Sequence, residues 1–168
     1  MSGAEAVSGA PGTAGAAGMS GALAMAGAGG SAPVVELANH KTATCSSLQN
    51  THGAGDAVDG NDMTRWIAAT WSFPQWWRVD LGKTQPVSQV KVHFEHTDRL
   101  YTYVVETSLN DAVYVQQASR SAVGSIQTID LPGGVPARYV RITITDTDPP
   151  NSTLMTYASF WEVYVYGH

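Results

Sequence analysis

The sequence predicts an all-β fold, an antiparallel sandwich or barrel. Three observations carry this. Several short runs alternate apolar and polar residues with the period of two that a half-buried strand requires. No segment of twelve residues keeps the 3.6 period of an amphipathic helix. Turn-forming residues recur between the runs, at Gly82-Lys83, Pro132-Gly133-Gly134 and Pro149-Pro150-Asn151.

The chain divides in two by composition. Residues 1–33 are Gly, Ala and Ser with scattered Pro, Thr, Val, Leu and Met, and their one charge is Glu5. They contain no aromatic residue, so they offer too little apolar surface to offset the entropy of ordering. They read as a flexible linker. A signal peptide would need a basic start and an apolar block. The first basic residue is Lys41, and Leu23 and Met25 stand isolated among Ala and Gly. Residues 34–168 hold every Trp, Tyr and Phe, so this segment supplies the core of one domain.

The strand candidates follow in order. In Gln89–Glu95, Val90, Val92 and Phe94 point one way while Gln89, Lys91, His93 and Glu95 point the other. Tyr101–Ser108, Val113–Ala118 and Ile126–Leu131 are shorter runs rich in β-branched and aromatic residues. Asn110-Asp111 joins the first two as a hairpin turn, because both residues tolerate positive φ. Tyr139–Thr145 sets Val140, Ile142 and Ile144 against Tyr139, Arg141 and Thr143. The closing run sets Trp161, Val163 and Val165 against Glu162, Tyr164 and Tyr166. Of Trp66, Trp76, Trp77 and Trp161, at least three are expected in the core.

Composition excludes several functions. Nine Lys+Arg against fourteen Asp+Glu give a formal charge of −5, which lacks the basic footprint of a nucleic-acid binder. It also argues against an anionic-membrane patch. Cys45 is the only cysteine, so neither an internal disulfide nor a multi-cysteine zinc site is possible. No run of eighteen apolar residues exists to form a membrane-spanning helix. Charged residues are only 14 %, and a glycosidase needs two carboxylates facing each other across a cleft. There is no G-x-S-x-G elbow, phosphate loop or dinucleotide fingerprint either. The chain is expected not to be an enzyme.

Two blocks are more specific. The first is Asp56-Ala-Val-Asp-Gly-Asn-Asp-Met-Thr-Arg-Trp66, and the second is Trp76-Trp-Arg-Val-Asp-Leu-Gly-Lys83. With Tyr103–Ser108, Arg138–Ile142 and the ending Trp161–Gly167, their order and spacing resemble the discoidin-like, or coagulation-factor type C, domain. Its bacterial branch is the family 32 type of carbohydrate-binding module. The resemblance covers about residues 37–167 and implies a jelly-roll β-sandwich. It further implies a non-catalytic module that tethers a larger secreted protein to a glycan through the linker. A galactoside, an amino sugar or a uronic-acid polymer would suit it. The alternative is a discoidin-like adhesion domain that binds a protein or membrane surface through apolar loop spikes such as Trp71, Phe73, Leu154 and Met155. Two positions depart from the family pattern. Tyr114 stands where the family hairpin has a Trp, and Ile67 stands where galactose-binding members often carry a His.

The resemblance implies a structural cation, expected to be Ca2+. Side chains would come from the positions of Asp59, Thr64 and Glu162, and carbonyls from Asp56, Asn61, Thr64 and Trp161. Hard oxygens on a tight loop suit calcium, and Gly60 lets the loop fold back. From the residues alone, Asp59 capping a turn and Glu162 lying on a solvated strand is the favoured reading. The resemblance also places three loops at one end as the sugar site, with the ion away from them. They offer Trp71 and Phe73; His96, Asp98 and Arg99; and Asn151, Met155 and Tyr157. An indole or phenol gives a flat apolar face for a sugar ring, and the polar groups reach hydroxyls.

Overall fold

The computed structural model describes residues 33–147 and 156–168. Residues 1–32 of the expected linker, the Pro149-Pro150-Asn151 turn and the loop residues Leu154 and Met155 lie outside the described residues.

The described residues form eight strands: β1 Val35–Glu36, β2 Thr42–Cys45, β3 Trp66–Ile67, β4 Gln75–Phe94, β5 Leu100–Ser108, β6 Val115–Val123, β7 Ile126–Thr147 and β8 Ser159–Gly167. One 3-10 turn, Ala54–Ala57, is the helical element among the described residues. All pairings are antiparallel. β4 and β7 are far longer than the usual five or six residues, and each belongs to two layers. The first half of β4, Gln75–Asp80, pairs with β2 and with Tyr139–Ile144 of β7, which in turn pairs with β5 and then β6. The second half of β4 pairs with β8 and with Ile126–Asp130 of β7, and β8 also carries β1 and β3. The result is the expected two-layer sandwich.

Gly82-Lys83 and Pro132-Gly133-Gly134 were expected to separate strands. They are corners within β4 and β7 instead. Backbone pairing between the two strands shifts between Asp80 and Gln85, and Gly82, Gly133 and Gly134 sit at φ of 85°, 83° and 75°. Positive φ without a side-chain penalty lets both strands turn from one layer into the other.

The core follows the alternation. Trp77, Val79, Val140, Ile142, Ile144, Tyr103 and Val105 come from one layer; Val90, Val92, Phe94, Ile129, Val163 and Val165 come from the other, and all are at most 1 % exposed. Aromatic rings close the gap between the layers. Trp77 meets Phe160 edge-on at 5.6 Å, and Phe94 stacks on Tyr101 at 4.2 Å. The buried indoles keep partners: Trp77 Nε1 donates to the Ala54 carbonyl and Trp66 Nε1 to the Ser47 carbonyl.

Two of the four tryptophans are core, not three. Trp76 lies on the face opposite Trp77 and is half-buried. Trp161 is a bulge: His93 pairs with Glu162 and Phe94 with Phe160, which leaves Trp161 without an opposite residue. The inward alternation is thereby broken, and Trp161 is half-exposed with the Arg65 guanidinium 4.8 Å from its ring centre.

The hairpin turn is where the sequence predicts it, with Asp111 at φ 65°. Tyr114 replaces the family Trp by a polar route. Its hydroxyl donates to Asp111, which also accepts from Arg78, and the Arg141 guanidinium sits 3.7 Å from its ring centre. Arg141 forks onto Glu106 through two 2.8 Å bonds, and Arg138 forks onto Asp80 at 2.9 and 2.8 Å. Such bidentate pairs fix strand neighbours in angle as well as distance.

These pairs have an acid signature. The Arg138 fork holds the Asp80 carboxyl down at about 2, and the Arg141 fork lowers Glu106. A depressed carboxyl contributes stability above its unfolded pKa near 4 and loses it as pH falls through the folded value. Acidification from pH 4 towards 2 is therefore expected to lower the melting temperature steeply. Asp80→Asn should melt lower at pH 7 and show a shallower acid slope. A variant whose acid slope matches the wild type would contradict the assignment.

Candidate functional site

Three segments gather at one end of the sandwich. They are residues 68–74 between β3 and β4, residues 95–99 between β4 and β5, and residues 156–158 entering β8. Ala68 N donates to the Ala158 carbonyl at 2.9 Å, and Thr147 Oγ1 donates to Thr156 Oγ1 at 2.6 Å. The Tyr101 hydroxyl lies under the second segment, accepting from His96 N at 3.4 Å.

Trp71 stands out of this end with 51 % of its surface exposed. Tyr157 meets it edge to face, ring centres 6.4 Å apart and planes at 69°. Phe73 is half-buried against the core, which leaves the open aromatic surface to Trp71 and Tyr157. His96 is half-buried, with Nε2 3.6 Å from Glu95 Oε2. Asp98 is exposed and Arg99 half-buried. Among the described residues, no hydrogen bond or ion pair joins Arg99 to Asp98, or either to the aromatic pair. Asn151 lies outside the described residues. Two clefts, of 370 and 330 Å3, are lined by Glu36, Lys41 and Lys83 and by Leu109, Val113 and Pro136. Neither of these two includes a residue of the Trp71 end.

Sequence reasoning missed three residues of this end. Gln75 is 7 % exposed, and hydrogen bonds tie it to Ser46, Ser47, Thr70 and Ser72. The available signal was a polar residue in phase with Trp77 and Val79, where an apolar one belongs. Arg65 and Glu95 are the others: Arg65 Nε lies 3.0 Å from Glu95 Oε1. Opposite charges thirty residues apart carry no pairing signal in sequence.

The second cluster is the loop Asp56–Thr64. Asp56 Oδ2 accepts from Gly53 N at 2.9 Å, so that side chain closes the 3-10 turn. Asp59 accepts from Asn61 N at 2.9 Å and from Thr64 Oγ1 at 2.8 Å, and Thr64 Oγ1 lies 2.8 Å from the Asn61 carbonyl. Gly60 turns the loop at φ 76°. Its amide and that of Asn61 donate to Glu162 Oε1 at 2.9 and 3.1 Å. The loop thus lies over Glu162, which is 1 % exposed and not a solvated strand residue. Burial, with Asp59 in contact, pushes the Glu162 carboxyl up to about 7. Among the described residues, neither acid makes an ion pair with Lys or Arg, and no cluster of three His, Cys, Asp or Glu side chains is placed to hold a metal. The loop is not remote from the ligand end. Arg65 follows Thr64 and pairs with Glu95, which precedes His96.

A two-layer sandwich with its exposed aromatics on the loops of one end defines a discoidin-like domain. The family model that matches residues 56–142 is described as a NedA-like, galactose-binding domain, and the chain belongs to this F5/F8 type C family. Chitosan-binding module 1 of a chitosanase/glucanase from Paenibacillus sp. IK-5 matches with TM-score 0.68 at 32 % identity, over 79 % of this chain and 99 % of that one. Module 2 of that enzyme, solved with chitotriose, matches with TM-score 0.67 at 32 % identity, over 78 % and 99 %. The family 32 module of C. perfringens NanJ, solved with galactose, matches with TM-score 0.68 at 22 % identity, over 80 % and 99 %, a likeness of fold. No curated protein matches the chain.

The loop end is braced from below at Gly124. Gly124 N donates to the Arg99 carbonyl at 2.7 Å, and a Cβ on Gly124 would stand 1.7 Å from the His96 carbonyl oxygen. Backbone cannot yield that distance without moving. Gly124→Ala is therefore expected to lower stability by about 1–3 kcal/mol, the usual cost of overpacking. Thermal unfolding measures this, and an unchanged melting temperature would contradict the packing.

Proposed function

We propose that this chain is a carbohydrate-binding module of a larger secreted protein, with its ligand lying against Trp71 and Tyr157. The observation that carries the reading is the half-exposed Trp71, braced edge-on by Tyr157 at the end of a closed sandwich. Sugar rings present flat CH faces, and an indole offers a large apolar surface at low entropic cost. His96, Asp98 and Arg99 on the adjoining loop supply polar groups for hydroxyls or an amine. The module is non-catalytic: it holds a parent enzyme near its polymer and raises the effective concentration, so a modest affinity suffices.

Amino sugars are the first ligand class to test, because the two chitosan-binding modules share about a third of their sequence with this chain. Ile67 supports looking beyond galactose. It is 7 % exposed and paired with Ser159 in β3, so it offers no polar group where galactose-binding members often have His. Calorimetric titration with chitotriose, galactose and a mannuronate oligomer is the test. Chitotriose is expected to bind, and Trp71→Ala to weaken it by roughly tenfold while leaving the melting temperature unchanged, since removing one aromatic face costs on the order of 1 kcal/mol. Silence with all three sugars would overturn the reading. Sedimentation with anionic liposomes would then test the adhesion alternative.

The Asp59 loop fits a hard cation, for which calcium is the proposal. Asp59, Thr64 and Glu162 would supply side-chain oxygens, and Asp56, Asn61, Thr64 and Trp161 carbonyls. The supporting observation is two carboxylates facing one loop, Glu162 nearly fully buried, with no ion pair to Lys or Arg among the described residues. A divalent ion would supply that charge and bind the loop to β8. Calcium is expected to raise the melting temperature and chelator to lower it, by about 2.7 kcal/mol of stability at a hundredfold excess over Kd. Glu162→Gln removes one of the facing charges, so it should melt at or above the chelated wild type and ignore calcium. Indifference of the wild type to both reagents, with no calcium by elemental analysis, would defeat the proposal.

A further inference from the structure

Gln75 is the first residue of β4 and a buried amide among core side chains. Its Oε1 accepts from Ser46 Oγ at 2.5 Å and from Ser47 Oγ at 2.8 Å. Its Nε2 donates to the Ser72 carbonyl at 2.6 Å and to Thr70 Oγ1 at 3.3 Å. The two serines are engaged a second time: Ser47 Oγ accepts from Ala69 N and Ser46 Oγ from Trp76 N, each at 3.0 Å. Thr70 and Ser72 are the immediate neighbours of Trp71. Both flanks of the exposed indole are thus tied, through one amide, to the segment that follows β2.

We infer that Gln75 is a positioning residue for sugar binding: it holds the Trp71 loop in its ligand-ready shape before any ligand arrives. The inference rests on the reading of Trp71 as the sugar platform. Its physical basis is that an exposed loop otherwise samples many shapes, and a site that is only partly populated binds more weakly by the populated fraction. An amide is required because the side chain must accept on one side and donate on the other. A carboxylate of the same shape accepts from the serines but turns a second acceptor towards the Ser72 carbonyl.

The experiment uses the whole chain and Gln75→Glu. Protein labelled with 5-fluorotryptophan gives one 19F resonance for each of the five tryptophans, and Trp71→Phe identifies that of Trp71. In Gln75→Glu at pH 7 the Trp71 resonance is expected to shift and broaden while those of Trp77 and Trp161, outside this network, hold. Acidification returns one donor to the side chain and should move the resonance back. Chitotriose affinity should fall roughly three- to tenfold, following the populated fraction. An unmoved Trp71 resonance, or five resonances that move together, would overturn the inference, because Gln75 would then do nothing there or would support the fold at large. The two readings fail separately. Trp71→Ala that leaves affinity intact would remove the platform and with it the sugar role of Gln75, whatever the spectrum. Loss of binding in Trp71→Ala with none in Gln75→Glu would remove the positioning role alone.

Discussion

The β4–β7 ladder is the constraint on which the rest depends. The two strands pair along nearly their whole length, in one layer where β4 precedes its glycine corner and β7 has passed its own, and in the other layer where the order is reversed. A sandwich built this way cannot slide one layer over the other without breaking that ladder. The corners put one set of connections at one pole, so residues 68–74, 95–99 and 156–158 must emerge together at the other. Trp71 and Tyr157 are 86 positions apart in the chain, yet their rings meet. The strands beneath bring the two loops together, and the bond from Ala68 N to the Ala158 carbonyl ties them directly.

Against that apolar frame, two buried polar side chains stand out, Gln75 and Glu162. A buried polar group destabilises a fold unless it is fully partnered. The two residues meet this requirement differently. Gln75 makes four hydrogen bonds to neutral partners and is satisfied as it stands. Glu162 has two backbone amides on one oxygen but faces Asp59, and its raised pKa records the remaining imbalance. Departures from local rules concentrate where a fold does something besides fold. Here one departure lies beneath the aromatic loop and the other beneath the acidic loop.

Most of the fold was legible because strand alternation is a local signal. Val90, Val92 and Phe94, or Val140, Ile142 and Ile144, report their inward face from five or six residues alone. The motif blocks added the topology through their resemblance to a family. What was not legible depended on pairing between distant residues. The bulge at Trp161 exists only relative to His93 and Phe94, so an apparently regular run hid a displaced tryptophan. Gly82-Lys83 and Gly133-Gly134 read as turns because positive φ marks a change of direction, and nothing local distinguishes a corner within a strand from a break between two. At the site, residue type named the aromatic candidates and the resemblance put their loops at one end, where the rings of Trp71 and Tyr157 meet. Residue type could not separate Phe73, which rests on the core, from Trp71, which does not.

Arg65 joins the two clusters into one region. It follows Thr64 directly, its guanidinium lies over the Trp161 ring, and its Nε approaches Glu95 beside His96. Trp161 precedes Glu162 on β8, so the bulge that displaces the tryptophan also gives the arginine a surface to rest on. The ion pair is partly buried, with side-chain exposures of 27 % and 15 %, where charges attract more strongly than in open solvent. A shift of the Asp59–Thr64 loop would carry Arg65 with it and act on Glu95. The acidic loop and the 95–99 loop are therefore mechanically adjacent, although 31 positions separate Thr64 from Glu95. The resemblance implied an ion away from the ligand loops; Arg65, held between Glu95 and the Trp161 ring, links the acidic loop to the 95–99 loop.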